Sequence, residues 1–373
     1  MRLKVLFLVN IPAPYRIDFF NELGKHCELT VLIESKSAEH RNDEWLKKEA
    51  INFKSVYLTP TRVFNKTICF DVSKYIKANY DICVIGVYNT LTSILAMRGL
   101  KKLHKKFIIS VDGGYIKADN PLKKWIKTKL LSKATYWLSP SVESDKYLIH
   151  YGADYSRVRR YCFTSVLEKD IVQEKEIDSE SKRSIREKLG IIEKKVILSV
   201  GRFSYDRGYG KGYDILMNLA ERLPSDIGIY MVGDDPTEEF IEWKEKKGLN
   251  HVHFIGFKTK EEIANYYKAA DLFILLTRGD VWGLVVNEAM CYGLPVITSD
   301  KCIAGLELIH DRENGYVVSN DNLDNIFMDV KEILDDSNIA KKYSMNSRRI
   351  IRDFTIENMA FQHIKVFEEV QNG

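Results

Sequence analysis

No stretch of this 373-residue chain comes near the ~20 consecutive apolar residues that a membrane-spanning helix needs. Its six cysteines, Cys27, Cys69, Cys83, Cys162, Cys291 and Cys302, are scattered without any Cys-x-x-Cys spacing. That argues against a structural zinc site or a disulfide framework and for a reducing compartment. No Gly-x-Gly-x-x-Gly follows the first apolar run, so a dehydrogenase fits poorly. The opening MRLKVLFLVNIPAPY lacks a small-residue cleavage site and reads as a buried strand rather than a signal peptide. There is no short-period repeat and no low-complexity tract.

What the chain does hold is the balance of a soluble globular protein, with 45% hydrophobic and 29% charged residues and 8 prolines. The length suits two domains, each with its own core. The net charge of +4 is unevenly spread. Residues 1–165 contain 28 Lys and Arg against 15 Asp and Glu, whereas residues 166–373 contain 28 against 37. A basic half joined to an acidic half suggests that one of them faces something anionic. Solvated lysine-rich helices are the other reading.

In the first half, apolar runs at 4–9, 29–34, 81–87, 107–111 and 135–138 read as strands, and 15–24 reads as a helix. Alternating βα units imply a parallel sheet covered on both faces. Residues 167–188 (LEKDIVQEKEIDSESKRSIREK) are charged and aperiodic until their end, which predicts a linker running into the first helix of a second domain. The alternation then restarts. Strands are expected at 196–200, 228–232, 253–256, 272–276 and 295–298, with helices at 213–222, 238–247, 260–270 and 284–291. The expected fold class is α/β, with two Rossmann-like, doubly wound parallel sheets facing a cleft. A ligand is expected at the carboxyl ends of the strands. The domain limits read as 1–166, 167–188 for the linker and first helix, 189–353, and a terminal helix at 354–373.

Segment 280–300 (DVWGLVVNEAMCYGLPVITSD) carries the most chemistry. Asp280 and Glu288 stand eight positions apart, a Trp282-Gly283 turn follows the first, and the second lies in a short helical run. A glycine turn feeding a helix start offers free N–H groups and a positive dipole end, which suits a phosphate. A carboxylate two turns into that helix can accept hydrogen bonds from ribose hydroxyls. Upstream, strand 196–200 ends at Gly201-Arg202, and Lys211-Gly212 opens the next helix. A diphosphate reached by both cations would gain charge-assisted hydrogen bonds of roughly 1.5–3 kcal/mol each. The intervening loop, 203–210, contains Gly208 and Gly210 and is expected to be mobile. Gly233-Asp234 and Gly256-Phe257 end two further strands at an edge where a nucleotide base can pack. Asp234-Asp235 reads as a turn rather than a metal site.

The set Gly201-Arg202, Lys211-Gly212, Gly233-Asp234, Gly256, Asp280-x7-Glu288, Gly293-Leu294-Pro295-Val296, Glu307-Leu308-Ile309 and Asn314-Gly315 resembles, in order and spacing, the signature of family 4 glycosyltransferases, which have the two-Rossmann GT-B fold. The likeness covers about 195 to 317. The first half shares only the alternating pattern and the opening VNIPAPYR, which resembles bacterial surface-polysaccharide members. The resemblance implies retaining, metal-independent transfer of a sugar from a nucleotide diphosphate sugar (UDP or GDP), which is a substrate, so no cofactor is expected. It gives Arg202 and Lys211 the diphosphate, Glu288 the ribose, and Asp280 a place by the donor sugar. Gly283 and Leu284 supply backbone N–H groups, and Trp282, Gly201, Gly233 and Phe257 line the donor.

Three departures from the family pattern stand out. The usual first glutamate is Asp280, one methylene shorter. The Arg-to-Lys interval is longer by about four residues, which leaves Arg207 as an alternative to Lys211. A first-domain histidine common in the family is absent, and Ser110–Tyr115 (SVDGGY) stands in its place, with Asp112 as the substitute catalytic group or, in the other reading, a cap or turn-forming carboxylate.

Residues 121–133 (PLKKWIKTKLLSK) are amphipathic: Leu122, Trp125, Ile126 and Leu130 share a face that Lys123, Lys124, Lys127 and Lys133 surround. With Lys101, Lys102, Lys105 and Lys106 this suggests contact with an anionic membrane. A helix packed on the first domain with solvated lysines is the alternative. Aromatic–basic interleaving is missing, so nucleic acid is not expected as a partner. The resemblance implies a glycan or lipid-linked acceptor, a cytoplasmic location peripheral to the inner membrane face, and a last helix that returns to the first domain. A nucleotide-sugar epimerase of the same architecture, or a non-catalytic nucleotide-sugar-binding subunit, would carry the same residues.

Overall fold

The computed structural model describes residues 2–35, 48–63, 65–174 and 178–373. They form two compact units, Met1–Leu167 with Phe354–Gly373, and Glu168–Asp353.

In the first unit the strands are β1 (Lys4–Val9), β2 (Glu28–Ile33), β3 (Lys54–Tyr57), β4 (Thr61–Val63), β5 (Lys66–Ile68), β6 (Ile82–Ile85), β7 (Phe107–Ser110), β8 (Tyr136–Ser139) and β9 (Val158–Arg160). Seven make one sheet in the order β3-β2-β1-β6-β7-β8-β9, and β4 pairs separately with β5. The seven-stranded sheet is parallel throughout. Its central strands are continuous apolar runs because helices cover both faces; every residue of β6 and β7 is buried.

Right-handed crossovers put the helices of β6→β7 and β7→β8, Leu91–Lys102 and Pro121–Leu131, on one face. Met97, Leu100, Leu130 and Leu131 share a core there. The β1→β2 crossover runs the other way, so its helix, Pro14–Leu23, lies on the opposite face, where Phe19 packs 4.7 Å from the ring of His363. His363 belongs to the last helix, Ile356–Asn372, which is part of this unit. The Ile356 N–H bonds the Val166 carbonyl at 2.8 Å, and the Gln362 side chain takes the Cys162 N–H at 2.7 Å.

The second unit has β10 (Lys195–Val200), β11 (Ile227–Val232), β12 (Val252–Ile255), β13 (Leu272–Leu275), β14 (Val296–Ser299) and β15 (Gly315–Val318). They form a parallel sheet in the order β12-β11-β10-β13-β14-β15. In each sheet the order reverses beside the first strand, between β1 and β6 and between β10 and β13. Loops leaving those strands diverge there, and a crevice opens at the carboxyl edge.

The run expected as a linker leading into a helix contains two ordered pieces. A 3₁₀ turn at Glu168–Asp170 is followed, beyond the undescribed residues 175–177, by the helix Ser179–Leu189. That helix is the one expected at the end of the run, and it buries none of its residues. Charge holds it instead: Lys182 Nζ and Arg186 Nη2 each lie 2.6 Å from an oxygen of Asp271, just before β13. Among the described residues no helix is long and apolar enough to cross a membrane.

Candidate functional site

The site in the second unit grows from the β10/β13 reversal. Strand β10 ends at Val200, and the chain turns through Gly201 so close to the next loop that a Cβ on Gly233 would sit 1.8 Å from the Gly201 carbonyl oxygen. Asp234 holds this turn by accepting the N–H groups of Phe203 and Ser204. Its carboxylate therefore serves the loop. Below, Phe203 packs at a tilt against the buried ring of Tyr213, centroids 4.4 Å apart, and Tyr213 Oη donates to the Gly201 carbonyl at 2.8 Å. Arg202 emerges from this base exposed, its carbonyl accepting the Tyr205 N–H at 3.3 Å and its side chain in no hydrogen bond or ion pair among the described residues.

Residues 203–210, expected as a mobile loop, end in a 3₁₀ run, Asp206–Lys211, in which Gly208 and Gly210 are buried. The run is pinned to the end of β13. Arg278 N–H and Thr277 Oγ1 both donate to the Gly210 carbonyl at 2.9 Å. Arg278 also grips Asp214 with two nitrogens, at 2.6 and 2.7 Å. The fork geometry fixes two bonds at once. This clamp holds Lys211 inward, and Lys211 Nζ reaches Asp280 Oδ2 at 2.6 Å with side-chain exposures of only 16% and 20%. Arg207 goes elsewhere, to Glu239 at 3.4 Å on the exposed side of the loop. Of the two cations weighed for the diphosphate, Lys211 is the one beside Asp280.

Asp280 is set by main-chain bonding to the neighbouring loop, its N–H donating to the Lys301 carbonyl at 3.0 Å. The chain then passes Trp282, which is buried and donates its ring N–H to Asn287 Oδ1 at 2.8 Å. Gly283 opens the helix Leu284–Cys291 with φ +106°, and no side chain caps it. Only glycine suits this place. The backbone is left-handed, and a Cβ would meet Cys302 Sγ at 2.6 Å. The first N–H groups of the helix have no carbonyl within it, so the tip concentrates donors and positive potential.

Glu288 lies two turns into that helix and accepts a hydrogen bond from Tyr267 Oη at 3.0 Å. Burial, then Glu288, push the Tyr267 hydroxyl far above its ordinary pKa, so it remains a donor. Cys302, under the Gly283 turn, has its thiol pushed up to about 12 by burial and then by Asp280. It packs as an inert side chain. Phe257 follows β12 with its ring exposed.

The structure thus brings Gly201, Arg202, Lys211, Gly233, Asp280, Trp282, Gly283, Leu284 and Glu288 to the carboxyl edge of one sheet, with Phe257 at the end of β12. Asp112 is in the first unit, where it pairs with Arg16 at 2.5 Å. Sequence reasoning passed over Arg278, Asp214 and Tyr267. Each acts on a partner 21 to 69 positions away, and no local pattern announces such a pairing.

On the helix Pro121–Leu131 the apolar face is largely uncovered, with Leu122 67% and Trp125 55% exposed. The lysines differ from expectation in one respect. Lys123 and Lys127 are drawn to the buried Asp119, at 3.1 and 2.7 Å, so they brace the helix rather than ring its apolar face. Lys129 is exposed with its ammonium 4.4 Å from the Trp125 ring centre, and the half-buried Lys133 has its pKa lowered by burial and by Arg98, Lys101 and Lys129 nearby.

Residues 181–350 match the family model described as glycosyl transferases group 1. An uncharacterized glycosyltransferase of Haemophilus influenzae is 29% identical over 181 residues, 47% of this chain and 49% of that protein. The lipopolysaccharide glucosyltransferase WaaG of Escherichia coli is 32% identical over 124 residues, 33% of each chain. The chain spans about half the length of the first curated relatives it matches. Among solved structures, Anabaena Alr3699/HepE in complex with UDP and glucose superposes with a TM-score of 0.76 at 18% identity, covering 98% of this chain and 99% of that one. The architecture is therefore that of the GT-B glycosyltransferases.

Proposed function

We propose that this chain is a retaining, metal-independent glycosyltransferase of family 4, which moves a sugar from a UDP- or GDP-sugar to a glycan or lipid-linked acceptor in bacterial surface-polysaccharide synthesis. The observation that carries the reading is the convergence of Arg202, Lys211 and the uncapped Gly283 helix tip at one strand edge, with Asp280 paired to Lys211 and Glu288 two turns into the same helix. The group 1 domain match over the same residues supports it, as does the UDP bound to the similarly folded Anabaena protein.

In the reaction the acceptor oxygen bonds to the anomeric carbon, the bond from that carbon to the diphosphate oxygen breaks, and the hydroxyl proton leaves with the diphosphate. Negative charge builds on the leaving group. Fixed cations and helix-tip N–H groups aimed at that charge stabilise the transition state without reorganising. Arg202 and Lys211 supply the cations, Gly283 and Leu284 the N–H groups, and Glu288 orients the ribose. Asp280, already paired with Lys211, lies by the donor sugar. Trp282, Gly201, Gly233 and Phe257 line the donor, and Asp112 is the catalytic group of the first unit.

The exposed Leu122, Trp125 and Ile126 of helix Pro121–Leu131, together with the cluster of Arg98, Lys101, Lys129 and Lys133 at its end, support a peripheral place on the anionic inner face of the cell membrane. A panel of UDP-, GDP- and dTDP-sugars, assayed for nucleotide release with and without magnesium, tests the activity. Release from one donor, undiminished by a chelator, is expected. No release from any donor, or a strict magnesium requirement, rules the reading out.

A further inference from the structure

The first sheet has a reversal point of its own, between β1 and β6, and a polar cluster at that carboxyl edge has no part in the donor site. Tyr15 and Arg16 open the helix after β1, and Asp112 follows β7. Tyr15 Oη donates to Asp112 Oδ2 at 3.0 Å, and Arg16 Nη2 donates to the same oxygen at 2.5 Å. Arg16 Nε donates in turn to Tyr15 Oη at 3.2 Å. The three groups form a closed ring that anchors one oxygen of the carboxylate. The other, Oδ1, accepts no hydrogen bond among the described residues, and the side chain is 31% exposed.

A cavity surrounds the ring, lined among others by Phe7, Ser110, Tyr161, Phe163 and His363. Arg16 also lines it, and Arg16 Nη1 is buried without a hydrogen-bond partner. Burial pushes the Tyr15 hydroxyl up to about 12, so it stays protonated and donating. The guanidinium cancels the charge of Asp112, which leaves the ring neutral overall. Such a site gives an anionic group no net attraction. What it offers is a charged acceptor oxygen fixed in direction, and the chemistry that fits it is an uncharged hydroxyl.

We propose that Tyr15 and Arg16 are positioning residues that hold Asp112 so that its outward oxygen takes a hydrogen bond from a neutral sugar hydroxyl of the acceptor. This rests on the glycosyltransferase reading, whose donor chemistry is confined to the second unit. A carboxylate free to rotate would spread over several orientations, whereas three linked bonds select one, and correct orientation of a reacting group lowers the barrier directly.

The test uses the full chain, the panel donor it turns over, and glucose at high concentration as acceptor probe. Tyr15→Phe is expected to lower kcat about three- to tenfold, because it removes one of the two bonds that orient the carboxylate while Arg16 keeps the other, with the donor KM unchanged. Arg16→Lys, which keeps the charge but loses the fork, is expected to lower kcat by about tenfold or more. In an Asp112→Asn background, Tyr15→Phe is expected to change nothing further, because its effect runs through that carboxylate. Wild-type turnover in Tyr15→Phe overturns the proposal, as does the same loss in both backgrounds. So does a collapse of the melting midpoint in Tyr15→Phe while Asp112→Asn stays folded. Absence of nucleotide release by the wild type from every donor overturns the activity itself, a result read before any variant is made.

Discussion

The Lys211 ammonium lies 2.6 Å from Asp280 Oδ2, and these two residues are 69 positions apart in the chain. The pair is largely shielded, so each charge depends on the other for compensation. A diphosphate reaching Lys211 meets an anion already in place. Asp280→Asn removes that competing charge. It is expected to bind UDP about threefold more tightly, the scale of a partly screened like-charge contact, while turnover falls because Lys211 loses its anchor. Calorimetric titration with UDP beside a rate measurement checks both halves. Weaker UDP binding in this variant would show that Asp280 does not oppose the diphosphate.

Lys211→Ala is expected to cut turnover at least tenfold, since a charge-assisted bond to the leaving group is worth roughly 1.5–3 kcal/mol. Arg207→Ala is the control. Its side chain goes to Glu239 on the exposed side of the loop, and steady-state rates within about twofold of wild type are expected. Equal losses in the two variants would mean that the leaving group is held from the loop as a whole.

Arg278 touches the backbone and the helix that carry Lys211 rather than any charge of its own site. It donates to the Tyr209 carbonyl at 2.5 Å and clamps Asp214 through two nitrogens. Arg278→Met is expected to raise the donor KM severalfold by loosening the 3₁₀ run. Arg278→Lys recovers only part of the loss, because a lysine cannot make the fork. Initial-rate kinetics over a range of donor concentrations separates this from a direct effect on the leaving group, which would appear in kcat alone.

Much of the second unit was readable because buried parallel strands are continuous apolar runs punctuated by glycine turns. The Asp280-x7-Glu288 spacing fixes both acids relative to one short helix, and that survives into three dimensions unchanged. What stayed hidden was every contact made across the fold. Tyr267 on Glu288, Arg278 on Asp214 and Arg16 on Asp112 join residues between 21 and 96 positions apart. The helix Ser179–Leu189 was expected at the end of the charged run, but the pairing that holds it, Lys182 and Arg186 on Asp271, was hidden in the same way. The edge strands β3 and β15 and the short β9 were missed as well. β3 and β9 are largely uncovered, and uncovered strands lack the apolar run that betrays a buried one.

His363 is buried among Phe19, Tyr161 and Phe367, and burial lowers its pKa to about 4. In the unfolded chain the same ring titrates near its ordinary 6.5. The folded state therefore binds fewer protons between those values. The stability held by the neutral ring is present above about 6.5 and is lost as pH falls toward 4, by up to about 3 kcal/mol. His363→Leu is expected to flatten that part of the acid limb. Urea unfolding at half-unit steps from pH 7 to 4 measures it, and parallel curves for the two proteins would show that other groups carry the acid sensitivity.

The last prediction concerns the helix Pro121–Leu131. Its Leu122, Trp125 and Ile126 are exposed, Lys129 lies over the Trp125 ring, and Arg98, Lys101 and Lys129 crowd around Lys133 with no acidic partner in an ion pair among the described residues. Like charges held together repel, and phosphate headgroups relieve that repulsion at about 1 kcal/mol per cation near the surface. The full chain is expected to sediment with vesicles containing phosphatidylglycerol and to remain in solution with pure phosphatidylcholine. Salt at 0.5 M should weaken the binding, because the Debye length is then only a few ångströms. Replacing Leu122 and Trp125 by serine is expected to reduce binding at all salt concentrations, whereas Lys129→Gln with Lys133→Gln removes mainly the salt-sensitive part. Lys123→Gln serves as the contrast: it unties one of the braces to Asp119, so it is expected to lower the melting midpoint without changing the preference for anionic vesicles. Equal binding to both kinds of vesicle would leave this face a solvated helix and nothing more.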